Sequence, residues 1–417
     1  MGIELPALSA VVARLANPVI NLAAYGGVVF PLALIIESPI IMLLAASTAL
    51  SKDWDSYVTM RRFMMNTGAI LTALHVLVAF TPLYYVVVEE IIGAPQAIVE
   101  PARIGLMIMT PWTWSIAYRR FNQGVLIRFG YSRTVGLGTV VRLSADLIVL
   151  AGGYLIGSIP GIVVGTSAVA AGVVSEAIYV GFAVRPVLNR ELKLAPPLKE
   201  RLTLRKFLEF YMPLVMTSLL TLLANPIGSA AVSRMPDALA SLAVWPVVTG
   251  LIFMLRSMGI AYNEVVVALL DRPGSYPNLR RFTGNLSVVT TVVLFLVAAT
   301  PLSDFWFGKV SGLSPKLAEM ARLGIWIALP LPALSVFQSW YQGAILYGRR
   351  TRGITVSVVI YLLTSAVVLG LGVSWGKATG LYIGLAALTA SVLTQTIWLW
   401  LQSRGVIEQV KIRDKQE

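Results

Sequence analysis

Residues 56–83 read SYVTMRRFMMNTGAILTALHVLVAFTPL and residues 275–302 read SYPNLRRFTGNLSVVTTVVLFLVAATPL, identical at 13 of 28 positions. Ser56-Tyr57, Arg61-Arg62-Phe63, Asn66 and Thr81-Pro82-Leu83 return as Ser275-Tyr276, Arg280-Arg281-Phe282, Asn285 and Thr300-Pro301-Leu302. The same offset of 219, without a gap, sets Arg103 and Gly105 on Arg322 and Gly324, Pro111 on Pro330, and Gln123-Gly124 on Gln342-Gly343. It continues through Arg133 and Arg352 to Gly161, Gly165 and Arg185, which fall on Gly380, Gly384 and Arg404. Upstream, an offset of 220 pairs Pro6, Ser9, Ala10, Val12 and Arg14 with Pro226, Ser229, Ala230, Val232 and Arg234. Hydrophobic composition alone does not hold a fixed offset over so long a stretch, so the chain is an internal duplication.

What is duplicated is apolar. Of the 417 residues 57% are hydrophobic and 13% charged, against about 25% charged in soluble proteins. Stretches of about 20 apolar residues, each enough to cross a bilayer, recur almost from end to end. Apolar content on every face implies helices rather than a barrel, whose strands alternate with period two. Eleven polar or turn-rich breaks leave twelve spans. Span three matches span nine, so the two six-helix halves have the same orientation and form parallel repeats. The predicted fold is an all-α polytopic membrane protein of about twelve transmembrane helices, arranged as two six-helix lobes. Residues 1–190 make the N-lobe, 191–206 a basic cytoplasmic linker, 207–404 the C-lobe and 405–417 a cytoplasmic tail. Span seven begins near Lys206, and its counterpart would begin upstream of Met1, so the first span is expected to be truncated. The N-terminus does not resemble a cleavable signal peptide.

The net charge of +13 follows this topology. Even-numbered breaks and the tail hold 22 of the 33 Lys and Arg, odd-numbered breaks 7. Positive-inside bias therefore puts both termini in the cytoplasm, at the cell (inner) membrane, and no nucleic-acid partner is expected. With no cysteine and one histidine, disulfides, thiolate chemistry and a His-rich metal site are excluded. No G-x-x-x-x-G-K-[ST] run or H-E-x-x-H is present, and a Ser–His relay would depend entirely on His75, so neither an ATP motor nor a hydrolase is expected. The expected partners are the lipid bilayer and a small-molecule or lipid-linked substrate, with the chain acting as a monomer and no cofactor beyond a coupling H⁺ or Na⁺.

Charges inside a membrane are costly and mark function by default. Glu37 lies deep in span two beside Pro39, which frees a backbone carbonyl; its repeat partner is Arg256, and the adjacent Ser38 pairs with Ser257. Two charges of opposite sign at related positions would face one cavity if both helices line the lobe interface; otherwise they reach headgroups by snorkelling. Asp146 and Glu176 in spans five and six correspond to Ser365 and Gln395, so these acids belong to the first half. Glu37, Asp146, Glu176 and, if the first span does have a missing upstream start, Glu4 are the candidates for binding a coupling proton or Na⁺; no other metal is expected. Arg256, Arg119, Arg120, Ser38, Ser257 and Gln395 are the candidates for a substrate cavity. Arg119-Arg120 correspond to the neutral Gln338-Ser339 and would meet an anionic substrate or pair with the acids. Arg142 and Glu264 are placed near helix ends. His75 is either a proton relay or a hydrogen-bonded helix residue.

The segment Arg120-Phe121-Asn122-Gln123-Gly124 running to Gly130-Tyr131-Ser132-Arg133, with its copy Tyr341-Gln342-Gly343 running to Gly348-Arg349-Arg350-Thr351, resembles the helix-four and helix-ten signature of the multidrug and toxic compound extrusion (MATE) family. Pro213-Leu214 through Asn225-Pro226, Ser233-Arg234 and Ala238-Leu239-Ala240 resemble the opening of a half-repeat in that family. The family belongs to the wider superfamily of multidrug, oligosaccharidyl-lipid and polysaccharide (MOP) exporters; the arrangement is also similar to the progressive ankylosis branch. The resemblance implies two lobes in a V and exchange of protons or sodium for an exported solute. The family's N-lobe acids would fall on Glu4 or Glu37 and on Asp146 or Glu176. A short first helix and paired arginines in span four depart from a typical drug exporter. The expected function is thus alternating-access efflux coupled to H⁺ or Na⁺. Its alternatives are a flippase or exporter of lipid-linked sugars or anionic solutes, and a non-coupled scramblase or membrane scaffold.

Overall fold

The computed structural model describes residues 2–198, 200–270, 272–348 and 352–416; Arg349, Arg350 and Thr351 of the second motif copy lie outside the described residues. Every regular element among the described residues is helical. The elements are α1 (Glu4–Val12), α2 (Pro18–Leu50), α3 (Trp54–Phe80), the bent α4 (Gln96–Ile108 and Thr110–Arg128), α5 (Ser132–Ile156) and α6 (Gly161–Leu192). The second half repeats the series as α7 (Leu204–Ser233), α8 (Ala238–Leu269), α9 (Ser275–Ala299), α10 (Pro315–Tyr347), α11 (Arg352–Trp375) and α12 (Gly380–Gln416). Ten of these are long and apolar enough to cross a membrane. The other two are α1, only nine residues long, and α4, whose apolar run is broken by Arg119, Arg120 and Arg128. The chain is a multi-pass membrane protein, and among the described residues ten of the twelve spans read from the sequence are present as membrane-length helices.

Local chemistry sets where the helices stop, and it does so twice. Thr81 and Thr300 precede prolines and are extended, at φ −108°, ψ 171° and φ −122°, ψ 169°, as the residue before proline is obliged to be. Each threonine Oγ1 donates back to the carbonyl four residues earlier, Leu77 or Leu296, at 2.6 Å. Each helix is then followed by a π-helical turn, Val86–Ile92 in one half and Asp304–Val310 in the other.

Packing repeats with the same offset. A methyl added at Gly105 would press on Ile162 and Thr166, and one at Gly324 on Leu385 and Leu381. Gly153 closes on Val164 as Gly372 closes on Ile383, and Gly124 meets Ser47 where Gly343 meets Val266. The Asn21 side chain accepts from the Ile162 N–H at 3.1 Å, and Ser241 accepts from Leu381 N–H at 3.0 Å. Close helix approach at small residues is how membrane helices gain packing without a hydrophobic drive between them. Here the duplicated glycines specify the same approaches twice.

By contact the chain divides into two compact units, one holding Val11–Ala230 and the other Gly2–Ala10 with the residues from Ala231 onward. The breakpoints stand 220 residues apart, the offset that relates the openings of the two halves. In the first unit, α7 adds Phe207 and Tyr211, whose rings meet Phe63 edge-on at 4.9 and 5.3 Å. Tyr211 also donates its hydroxyl to the Pro39 carbonyl at 2.5 Å. In the second unit, α1 lays Leu5 and Pro6 against Gly250 of α8. The core at the basic end of that unit is Tyr262, Val266, Leu279, Val336, Trp340 and Val410. Helices α3, α5, α9 and α11 carry exposed rows of large apolar side chains, among them Ile70, Ile148, Val288 and Leu371, as helices bathed in lipid do.

Candidate functional site

In the first unit, the bent α4 carries its polar residues inward because the opposite choice would place them in hydrocarbon. Arg119 is 1% exposed and its Nη1 donates to Glu176 Oε2 of α6 at 2.6 Å, with Glu176 0% exposed. One turn further along α4, Gln123 Nε2 donates to Glu176 Oε1 at 2.8 Å. Both carboxylate oxygens of Glu176 are thereby occupied. Room for this carboxylate comes from Gly138 of α5, where a methyl would stand 3.4 Å from the Glu176 Cγ.

Glu37 of α2 is also buried, but its Oε2 has no hydrogen-bond donor in reach among the described residues. The cations acting on it are Arg120, Arg119 and Arg142. The carbonyl that Pro39 releases is not open to an ion: it belongs to Ile35, and the Ser38 hydroxyl donates to it at 2.8 Å. Ser257, the repeat partner of Ser38, likewise turns onto its own helix, donating to Met254 O at 2.7 Å.

Asp146 of α5 is buried in a notch made by Gly172 of α6. A Cβ at residue 172 would overlap the Asp146 carboxylate and lie 3.1 Å from the Arg142 carbonyl oxygen. Arg142 stands one turn before Asp146 on the same helix and is buried too. The structure therefore gathers Glu37, Asp146 and Glu176 with Arg119, Arg120 and Arg142 on α2, α4, α5 and α6 of one unit, three acids with three guanidinium groups.

The second unit has a different arrangement at the related positions. Arg256 Nε donates to Ser335 Oγ at 2.6 Å, and no carboxylate lies within ion-pair distance among the described residues. Tyr361, at the position of Arg142, is the titratable side chain that acts on it. Gln395 accepts from Gln338 Nε2 at 2.8 Å and donates to Ser357 Oγ at 3.3 Å.

The remaining sequence candidates fall outside these clusters. Glu4 is half-buried on α1, and its segment belongs to the second unit. Glu264 is exposed. His75 is fully buried, with Nδ1 2.8 Å from Thr113 Oγ1 and Nε2 2.9 Å from the Leu106 carbonyl. Nε2 must carry a proton to donate to that carbonyl, and Nδ1 then accepts from the threonine hydroxyl. The imidazole thus clamps α3 to the bend of α4, in keeping with the hydrogen-bonded alternative. Gln123, Ser335, Tyr361 and Gly172 are participants the sequence did not single out as site residues. Of these, only Gln123 carried a signal, as part of the duplicated Gln-Gly pair.

No protein-family profile matches the sequence, and no curated protein matches it. Solved structures do match by shape. An inward-facing multidrug resistance MATE family transporter of the MOP superfamily aligns with a TM-score of 0.72 at 14% identity, over 99% of this chain and 96% of that one. The lipid II flippase MurJ, in an inward closed conformation, aligns with a TM-score of 0.74 at 14% identity, over 99% and 88%. A MOP superfamily transporter from Pyrococcus furiosus, described as having a binding pocket of reverse polarity that suggests a different function, aligns with a TM-score of 0.57 at 15% identity, over 99% of each chain. From end to end, this chain has the fold of the MATE transporters and of MurJ.

Proposed function

We propose that the chain is a secondary active transporter that exports a small organic solute by alternating access in exchange for H⁺ or Na⁺, with Glu37 as the coupling carboxylate. The observation that carries this reading is the difference between the buried acids: Glu176 has both oxygens committed, whereas Glu37 Oε2 is buried without a donor. A buried carboxylate left with an unused acceptor is poised to take a cation. With three acids against three guanidinium groups, adding one proton or one Na⁺ at Glu37 turns a balanced set into one of net +1. That change alters how the unit meets a charged solute and biases the transport cycle through the ion's different affinity for its states. Glu176 is then a structural brace, Arg119 and Arg120 set the field felt at Glu37, and Asp146 is a second ion site. The charge distribution supports both termini being cytoplasmic.

The test is reconstitution in proteoliposomes with a panel of cationic and anionic organic solutes, under an imposed pH or sodium gradient. Glu37→Gln should abolish gradient-driven flux while leaving the purified protein monodisperse. Gradient-driven flux unchanged in that variant removes Glu37 from coupling. A second reading, export or flipping of an anionic solute or lipid-linked sugar, is favoured by Arg256, a membrane-helix cation whose partner is a hydroxyl. Flux confined to the anionic members of the panel selects it. Flux indifferent to both gradients selects the non-coupled scramblase instead.

A further inference from the structure

At the basic end of the second unit, the start of α9 and the end of α12 border an open cleft of about 490 Å³ lined by Tyr276, Pro277, Arg280, Arg281, Lys411 and Asp414. Asp414 cannot neutralise the three cations around it. Its side chain is 2% exposed, one oxygen accepts from the Tyr276 N–H at 2.8 Å, and the other pairs with Arg413 at 2.8 Å. Among the described residues no carboxylate lies within ion-pair distance of Arg280, Arg281 or Lys411. Three uncompensated cations around one concavity make a site for a phosphate group.

The surroundings identify the carrier of that phosphate. Arg281, Val288, Val292 and Phe295 stand at i, i+7, i+11 and i+14, on one face of α9. The three apolar members are exposed by 61%, 45% and 44%. This strip is about 21 Å long at the helical rise, enough for the roughly 15 Å of one leaflet. A soluble phosphate has no use for such a strip, whereas an acyl chain does.

We propose that the cleft holds the phosphate of an anionic phospholipid whose acyl chain lies along Val288, Val292 and Phe295. Basic pockets between membrane helices at the water boundary are the recurrent form of such sites. The first half keeps the arginine pair as Arg61 and Arg62, but at the position of Lys411 it has Leu192, fully buried. The lipid site therefore belongs to the second half alone. It rests on the membrane reading of the chain and is independent of Glu37.

The full chain in detergent, titrated with phosphatidylglycerol, phosphatidylcholine or soluble glycerol 3-phosphate and followed by native mass spectrometry, tests this. Phosphatidylglycerol should bind as one preferred adduct, more weakly as salt rises. Arg280→Gln with Arg281→Gln should weaken it about thirtyfold and Lys411→Gln about fivefold, at the usual value of one cation near an anionic surface. Arg61→Gln with Arg62→Gln should leave it unchanged. Should the α9 double variant lose its monodisperse state, Arg280→Lys with Arg281→Lys and the Lys411 variant carry the test, the first retaining most binding. Equal binding of phosphatidylcholine, equal binding by the α9 and α3 double variants, or glycerol 3-phosphate binding as tightly as the lipid would each overturn the proposal.

Discussion

The contact between the fourth and sixth helices of each half is the same contact made with different chemistry. In the first unit Arg119 meets Glu176 at 2.6 Å; in the second Gln338 meets Gln395 at 2.8 Å, both pairs 57 residues apart in the chain. Geometry survived the duplication and charge did not. A neutral amide pair costs little to bury, whereas an ion pair must be complete, because removing one member strands the other charge. The first half therefore maintains a charged interior at a cost that the second half shows to be unnecessary for this contact. The expense makes sense if the field of Arg119 and Arg120 on Glu37 is what the first half is for.

The sharpest way to break this comparison is to make one half imitate the other. Glu176→Ala should destabilise the protein by about 3–5 kcal/mol, since it leaves Arg119 buried without its carboxylate. Gln395→Ala should cost about 1 kcal/mol, the usual net worth of one hydrogen bond, because both amides are only partly buried. The double variant Arg119→Gln with Glu176→Gln should recover most of the loss, as it copies the second half. Thermal unfolding in detergent measures all three, and a double variant as unstable as Glu176→Ala would show that the two contacts are not equivalent. The rescued double should still be altered in gradient-driven flux, since Glu37 has lost one of its cations.

A second exchange concerns the notch at Gly172. In the first half Asp146 occupies the space a Cβ would need; in the second, the related residues are Ser365 and Ser391, both buried. Gly172→Ala should therefore cost about 1–3 kcal/mol through overpacking against a charged group. Asp146→Ser, which shortens the side chain as in the second half, should relieve it. Loss that persists in the Gly172→Ala, Asp146→Ser double variant would place the strain on the Arg142 backbone instead.

Much of this was legible before any coordinates. The offset of 219 was a statement about three-dimensional contacts, because a helix-packing glycine such as Gly105 or Gly153 returns facing the same repeat position, whichever apolar residue fills it. The intramembrane charges were legible for the same reason, since an apolar background makes each one conspicuous. What the sequence could not show was which acid is satisfied. Glu176 and Glu37 look alike in one dimension, and only the placement of Gln123 one turn after Arg119 distinguishes them. Nor could proline chemistry alone reveal the fate of the carbonyl released by Pro39, because the adjacent Ser38 closes it locally. The contact boundary between the units was hidden too, as hydropathy follows spans and is blind to which neighbours a span keeps.

The smallest expected effect lies where each half fastens its C-terminal end to the start of its third helix. In the first half Asp53, the N-cap of α3, accepts from the Ser56 N–H at 3.0 Å and from the Leu198 N–H at 3.0 Å, so a loop carboxylate grips the linker. In the second half the roles are reversed: Asp414, near the end of α12, accepts from the Tyr276 N–H in the first turn of α9. Burial pushes the Asp53 carboxyl up, but donation from the Ser56 hydroxyl and from the Leu198 and Ser56 N–H groups outweighs it and holds the group below the usual carboxylate range. A carboxyl depressed in the folded state adds stability that is present above its ordinary value of about 3.9 and disappears as the pH falls through its folded one. Asp53→Asn should thus cost about 1 kcal/mol near neutrality, read as faster hydrogen exchange at the Leu198 amide. As the medium is acidified below about pH 4, wild type and variant should converge. Asp414→Asn should leave Leu198 exchange untouched and loosen the start of α9 instead. Should Asp53→Asn leave exchange at Leu198 unaltered, the linker is held by its own turn and the reversal between the halves is a coincidence of loop length.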